Sequence, residues 1–138
     1  MRSVFAAAAC ALLLSPLVAG AAELQINPGL WETTMTRTNP MTGEPTTETS
    51  TECVKQDTFR PSDMMKDAEG CELLKDELDG DALTFMMECN MQGAKSTVEG
   101  VFQTDGQTGK GNMEMKMSMG EMNLDMTMDW TSKRVGDC

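Results

Sequence analysis

The sequence predicts an all-β domain, a small antiparallel meander that forms a barrel or half-barrel, with one short helix and two disulfides. The first observation behind this prediction is a regular alternation of methionine with polar residues within 113–130, the period of two that is typical of a strand. The second is a series of threonine-rich runs separated by Gly, Asn and Asp, which favour strands and turns. The third is an even set of four cysteines after residue 21, which is typical of small exported domains.

The composition argues against several classes of function. The chain of 138 residues has 11 basic and 22 acidic side chains, giving a net charge of −11 at pH 7. Because the phosphate backbone is bound by an excess of Lys and Arg, we expect no nucleic acid partner. The chain has no histidine and therefore lacks the commonest general base and every imidazole metal ligand. The acid pairs near Asp79 lie at a predicted hairpin tip, so we expect no enzymatic activity.

The first 21 residues have the features of a secretory signal peptide. Arg2 supplies a basic start, residues 4–18 form an apolar run, and the small residues 19–21 follow it. The run is shorter than a typical membrane-spanning helix. The alternative to a cleaved signal peptide is an uncleaved N-terminal anchor. We therefore predict that residues 22–138 form a single acidic, soluble domain in the periplasm, without a membrane span and monomeric.

The N-terminal third of this domain predicts a hairpin and then the only candidate helix. Residues 30–37 and 46–53 are rich in β-prone threonine, and the Pro- and Gly-containing segment between them favours a turn. The stretch that follows is interrupted by Pro61, so we expect one or two short helical turns within 62–67, with Ser62 as the N-cap.

The four cysteines allow three pairings, and the next hairpin favours one of them. Residues 72–78 and 82–88 flank a strong turn signal at 79–81. A three-residue turn places Cys71 directly opposite Cys89, within bridging distance, whereas a two-residue turn would put them on opposite faces. The pairing Cys71–Cys89 leaves Cys53–Cys138, which would tie the last residue back to the second strand.

The C-terminal part of the chain predicts a strand, a loop and a methionine-rich hairpin. Residues 97–104 form the strand and residues 105–111 the Gly-rich loop. Residues 113–119 and 122–130 then alternate around Gly120-Glu121, which suits a two-residue hairpin turn. In this register eight side chains share one face, here called the methionine face: Met113, Met115, Met117, Met119, Met122, Leu124, Met126 and Met128.

Two terminal motifs together with this hairpin resemble an uncharacterised family of bacterial exported proteins, the domain of unknown function 3617. The motifs are Pro28-Gly29-Leu30-Trp31-Glu32 after the signal and Arg134-Val135-Gly136-Asp137-Cys138 at the end. The resemblance covers essentially the whole mature chain, although Val54-Lys55-Gln56-Asp57 departs from the Thr-Pro-Glu helix opening of the family. It implies a periplasmic location and a small β domain, and it supplies neither an activity nor catalytic residues.

The methionine face has three interpretations. It can be simple core, since methionine fills irregular apolar gaps. It can bind an apolar ligand or a partner protein of unknown identity, with the interior of the barrel as the site. That site would comprise Met113, Met115, Met117, Met119, Met122, Met126, Met128 and Trp130. It can also bind Cu(I) or Ag(I), because thioether sulfur prefers soft metals, with Met115, Met117, Met126 and Met128 as ligands.

The binding interpretation is the function that we take forward from the sequence, with no cofactor. The alternatives are soft-metal binding, in which Cu(I) would be the cofactor, and an oxidation sink in which exposed methionines are reversibly converted to sulfoxide. Trp31 and Trp130 are interpreted as large core anchors at the edges of the methionine layer.

Overall fold

The computed structural model describes residues 22–66 and 68–138, so the predicted signal peptide lies outside the described residues. The strands are β1 Leu24–Gln25, β2 Gly29–Thr38, β3 Pro45–Val54, β4 Thr58–Phe59, β5 Cys71–Asp79, β6 Ala82–Met91, β7 Ala94–Thr104, β8 Thr108–Met119 and β9 Met122–Gly136. A 3-10 helix spans Pro61–Met65 between β4 and β5. Across the described ranges, no helix is long and apolar enough to cross a membrane.

Seven strands form one antiparallel sheet in the order β3-β2-β9-β8-β7-β6-β5, and β1 pairs with β4 in a small second sheet. Strands β5 to β9 follow one another as a meander, and the N-terminal hairpin joins it where β2 pairs with β9. The prediction of an antiparallel all-β fold is therefore confirmed. Within the described residues the large sheet is open, with β3 and β5 at its two edges, so a closed barrel with an enclosed interior is wrong.

The short helix differs in its start and its type from the prediction. It is a 3-10 helix in which Pro61 is the first residue, Arg60 occupies the N-cap position, and no side chain caps the end. Ser62 as the N-cap is therefore wrong. Proline suits the first turn because its φ is already helical and its missing N–H has no partner there. Pro61 thus begins the helix that it was expected to interrupt, and its side chain is fully buried.

The register of β5 and β6 shows why the cysteine pairing is correct although the expected turn is not. Asp79 pairs with Ala82, so the turn has two residues rather than three. A β-bulge near Leu74 then shifts the register by one residue. This shift brings Cys71 opposite Cys89, and the structure joins these two residues and also Cys53 to Cys138. Both predicted disulfides are therefore confirmed.

Strand β8 begins earlier than predicted, because residues 108–111 of the expected loop belong to it. The glycines of this region lie beneath aromatic rings of neighbouring strands. A Cβ atom at Gly100 would lie 2.5 Å from Cζ of Phe85, and one at Gly111 would collide with the ring of Trp130. Glycine in a strand often marks such close approach. Of the glycines that suggested a loop, Gly109 and Gly111 are therefore packing positions in the sheet, against Phe102 and Trp130, whereas Gly106 remains in the turn between β7 and β8.

One face of the large sheet is apolar, and its central part forms the core. The core side chains on β6 and β7 are between 0 and 6% exposed, and we call them the covered region: Leu83, Phe85, Met87 and Val98. Met65 of the 3-10 helix packs against this cluster. Phe59 of the small sheet meets Phe102 edge to face, with ring centroids 5.0 Å apart. The segments that contain β4 and the helix therefore cover this side of the sheet.

Candidate binding surfaces

The methionine face has the register that the sequence predicts. Opposed pairs on β8 and β9 are Met113 with Met128, Met115 with Met126, Met117 with Leu124 and Met119 with Met122. Residues directly opposite each other in an antiparallel pair project to the same side. The eight side chains therefore lie on the apolar face of the sheet, and the four at Met113, Met115, Met126 and Met128 share their rows with Phe85 and Met87.

The methionine face is more exposed than the covered region beside it. Met113 and Met115 contact the core cluster at the boundary and are half-buried, as is Met126. Towards the tip of the hairpin, Met119 is 42% and Met122 is 53% exposed. The apolar face is thus closed over the central part of β6 and β7 and open towards the tip of the β8–β9 hairpin, where Met91 of β6 lies in the same row and is 52% exposed.

The predicted metal ligands lie together on the methionine face, and all four are half-buried. Met115 faces Met126 directly, and Met117 and Met128 are their neighbours two residues along each strand. Same-face neighbours on a strand are separated by about 6.5–7 Å, a gap that flexible methionine side chains can close. Within 22–66 and 68–138, no group of three or more His, Cys, Asp and Glu residues could hold a metal ion. Any metal site in this region would therefore depend on thioether sulfur.

Trp130 lies on the same face but belongs to the aromatic core rather than to the open end. Its ring lies over Gly111, and its centroid is 6.1 Å from that of Phe102. Phe102 is in turn in contact with Phe59 of the small sheet. Of the predicted binding residues, Trp130 is therefore the one farthest from the hairpin tip.

A cavity of about 310 Å³ between the two sheets was not predicted from the sequence. Its apolar walls come from five residues: Ile26, Trp31, Val54, Phe59 and Phe102. Three of these are aromatic, in a chain with four Phe, two Trp and no Tyr. The sequence indicated Trp31 as a core anchor, but Phe59 and Phe102, which line the cavity with it, are distant from it in the sequence. The cavity therefore becomes visible only once the fold is known.

The polar groups of this cavity are few. The hydroxyls of Thr33 and Ser132 lie 2.8 Å apart on its floor, and both residues are half-buried. The indole N–H of Trp31 donates to the carbonyl of Asn27 at 2.9 Å and so is already paired. Asp63, at the side of the helix, forms an ion pair with Lys66 at 2.6 Å. Gln56, which is exposed, and Thr58 complete the lining, so the cavity has apolar walls with one hydroxyl pair in its floor and further polar side chains at Gln56, Thr58 and Asp63.

The opposite face of the large sheet is polar and carries small ion pairs. The ammonium of Lys116 lies 3.1 Å from Glu114, which raises the pKa of Lys116. Lys95 hydrogen-bonds the carboxylate of Glu88 and lowers its pKa. Exposed ion pairs of this kind contribute little to stability. Two grooves of about 400 and 360 Å³ on this face have mixed walls of threonine, amide and acidic side chains.

The turn between β7 and β8 holds the N-terminal segment in place. The carboxylate of Asp105 accepts hydrogen bonds from the N–H groups of Gln107 and Thr108 at 2.9 and 2.7 Å. These N–H groups lower the pKa of Asp105. The carbonyl of Gly106 accepts a hydrogen bond from the N–H of Asn27, just after β1. The turn therefore links Asp105 to the segment that covers the apolar face.

Comparison with known proteins gives one match. The family model of DUF3617, described as a protein of unknown function, matches residues 26–138. No curated protein and no solved structure matches the chain significantly.

Proposed function

The chain belongs to the DUF3617 family of proteins of unknown function, and we propose that it is a non-enzymatic periplasmic protein that binds an apolar, basic segment of a partner protein. The binding surface is the methionine face. The observation that carries this proposal is the open end of that face, where Met119 and Met122 are 42% and 53% exposed.

The shape of this surface favours a protein segment over a small molecule. A small ligand usually needs a concave site that buries most of its surface. The outer end of the methionine face is an open part of the sheet, because the cover lies over the central part of β6 and β7. A polypeptide brings its own apolar surface and can cover such a face. Methionine suits this role because its flexible thioether side chain adapts to partners of different shape.

The charge of the chain favours a basic partner. The net charge is −11, and Glu121 occupies the turn between the two most exposed methionines of the face. A partner segment with Lys or Arg beside its apolar residues would be attracted to this surface. An acidic segment would be repelled by the same charges.

The two disulfides support the periplasmic location in this proposal. Cys53 is joined to Cys138 and Cys71 to Cys89. Disulfides form and persist in oxidising compartments such as the bacterial periplasm.

The positions of the acidic residues near the β5–β6 turn support a non-enzymatic role. Asp79 ends β5 and Asp81 lies in the β5–β6 turn, and both are exposed, so their carboxylates are solvated.

The proposal is tested with an amphipathic peptide of leucine and lysine and a control peptide in which serine replaces leucine. Binding is followed by NMR of the methionine ε-methyl groups. We expect the leucine peptide to shift the signals of Met119, Met122 and Met126 in a saturable manner. The serine peptide keeps the positive charge but has no apolar side chains, so it should bind at least about tenfold more weakly.

Two variants with the same change in charge separate the methionine face from general electrostatics. Met122→Glu places a carboxylate on the methionine face, and Asn123→Glu places one on the opposite face of the same strand. We expect about tenfold weaker peptide binding for Met122→Glu and little change for Asn123→Glu. Equal losses in both variants, or no binding of the leucine peptide, would contradict the proposal.

Soft-metal binding is a second candidate because four accessible thioethers surround one point of the sheet. Met115 and Met126 are directly opposed, and Met117 and Met128 flank them. Cu(I) prefers such soft ligands. If the site exists, replacing Met115 and Met126 by leucine removes tight Cu(I) binding in a competition titration. Met41→Leu, in the exposed β2–β3 loop, is the matched control and should change nothing.

A further inference from the structure

We propose that the cavity between the two sheets is a separate binding site for a small, neutral aromatic molecule with one hydroxyl or carbonyl group. It differs from the methionine face in position and in chemistry. The cavity is lined by β2, β7 and β9 on one side and by residues of the small sheet and the helix on the other. It is therefore bounded by two layers, which the methionine face is not.

The walls of the cavity favour an aromatic ring. Trp31, Phe59 and Phe102 all line it, and Ile26 and Val54 complete the apolar surface. Aromatic side chains attract other rings in edge-to-face and offset arrangements beyond simple burial of area. Phe59 and Phe102 already meet edge to face, with centroids 5.0 Å apart. A bound ring would extend this cluster.

The polar groups define the rest of the ligand. The Thr33 and Ser132 hydroxyls use only part of their hydrogen-bonding capacity on each other, so one hydroxyl can still donate and both can accept. An oxygen atom of the ligand can therefore hydrogen-bond at this point of the floor. Because Asp63 is paired with Lys66, its charge selects neither an anion nor a cation, and an ion of either sign would lose hydration against the apolar walls. The chemistry of the cavity thus favours a neutral molecule.

The volume sets the size of the ligand. The cavity holds about 310 Å³, which lies at the lower end of the range for small-molecule sites. At about 30 Å³ for each water-sized group, it accommodates about ten non-hydrogen atoms. A single ring with one or two substituents fits this volume.

The site is tested by titrating the protein with 4-methylphenol and recording the response by NMR. Ile26 is the only isoleucine in the chain, so its δ1-methyl group gives a single signal from a wall of the cavity. We expect saturable shifts of this signal and of the Trp31 indole N–H at millimolar probe, with the Met122 ε-methyl signal unchanged. The anion 4-methylbenzoate should bind about tenfold more weakly.

Variants at Ser132 separate the cavity from non-specific binding. Ser132→Leu fills the cavity, and Ser118→Leu makes the same change on the exposed polar face of β8. We expect Ser132→Leu to abolish the response of the Ile26 signal and Ser118→Leu to preserve it. Ser132→Ala keeps the space and removes one hydroxyl, so binding should weaken several-fold without any loss of folding. No saturable shift of the Ile26 signal, or an unchanged response in Ser132→Leu, would overturn the proposal.

Discussion

The covered region and the methionine face lie side by side on one face of the sheet and share the rows of Phe85 and Met87, yet they differ in composition and exposure. On β6 and β7 the inward positions carry Leu83, Phe85, Met87 and Val98, which are at most 6% exposed. In the rows of Phe85 and Met87, β8 and β9 carry half-buried methionines, and towards the hairpin tip Met119 and Met122 are exposed, as is Met91 of β6 in their row. Three of the four covered side chains are thus aromatic or branched, whereas seven of the eight on the more exposed methionine face are methionine.

The difference between the two regions shows that the apolar character of a sheet face and its burial are two separate properties. Alternation of apolar and polar residues shows which face of a strand is apolar, but not whether anything covers that face. Side chains of fixed shape pack to high density only against a partner that is already present. Methionine tolerates an absent or variable partner. The composition of the stripe is therefore the better indicator of an open surface.

The largest expected effect comes from removing a side chain of the covered region. Phe85→Ala should lower the free energy of unfolding by about 3–5 kcal/mol, because the side chain is buried and its ring lies over Gly100. Met126→Ala, in the adjacent row on the methionine face, should cost only about 1 kcal/mol because that side chain is partly solvated already. Urea denaturation of both variants measures the difference. Similar losses would show that the two regions are equally packed.

The next effect comes from adding one methyl group beneath that ring. Gly100→Ala places a Cβ atom 2.5 Å from Cζ of Phe85, and Phe85 is 1% exposed and cannot move aside easily. We expect a loss of about 1–3 kcal/mol in the free energy of unfolding. Gly136→Ala is the matched control, because nothing lies within 4 Å of its added Cβ atom. A neutral Gly100→Ala would mean that the covered region has room to adjust.

The local part of this fold is predictable from the sequence, and its long-range part is not. The pairing of Met115 with Met126 follows from alternation around a short turn, because both partners belong to one hairpin. The β-bulge near Leu74 shifts the register between β5 and β6, and the residues of the turn do not predict this bulge. Its effect happened to compensate for the shorter turn, so the disulfide prediction was correct.

The unpredicted features depend on contacts between distant segments. The pairing of β2 with β9 joins the two ends of the described chain, and alternation in either strand does not specify the other. The cover of the apolar face comes from the irregular stretch around Pro61, which has no strong periodicity. The cavity at Trp31 and Phe102 requires both of these features. The open sheet and the cavity between the two sheets therefore had to be seen in the structure.

A smaller, pH-dependent effect on the free energy of unfolding is expected at Asp105, in the turn between β7 and β8 that holds the N-terminal segment. Asp105 has a lowered pKa because backbone N–H groups stabilise its carboxylate, so its contribution to stability is present above the ordinary pKa of an aspartate, about 3.9. That contribution is lost as the pH falls through the lowered folded-state pKa. Asp105→Asn should therefore be less stable than the natural protein at pH 7, and the difference should vanish in acid. Urea denaturation at several pH values measures it, and a difference independent of pH would contradict the role of the charge.

The smallest effect on the free energy of unfolding is expected from oxidation of the methionine face. Peroxide converts methionine to the polar sulfoxide at rates that follow exposure, so Met119 and Met122 should react before Met115 and Met126. Met87, at 6% exposed in the covered region, should react last, and its oxidation should coincide with unfolding because a polar group then enters the core. Peptide mass spectrometry over a time course gives the order. If Met87 is oxidised as fast as Met122 while the protein remains folded, the segment around Pro61 does not cover the sheet, and the contrast between the two regions fails. If the exposed methionines react first without loss of stability, the methionine face is a solvent-accessible surface whose composition is not required for folding.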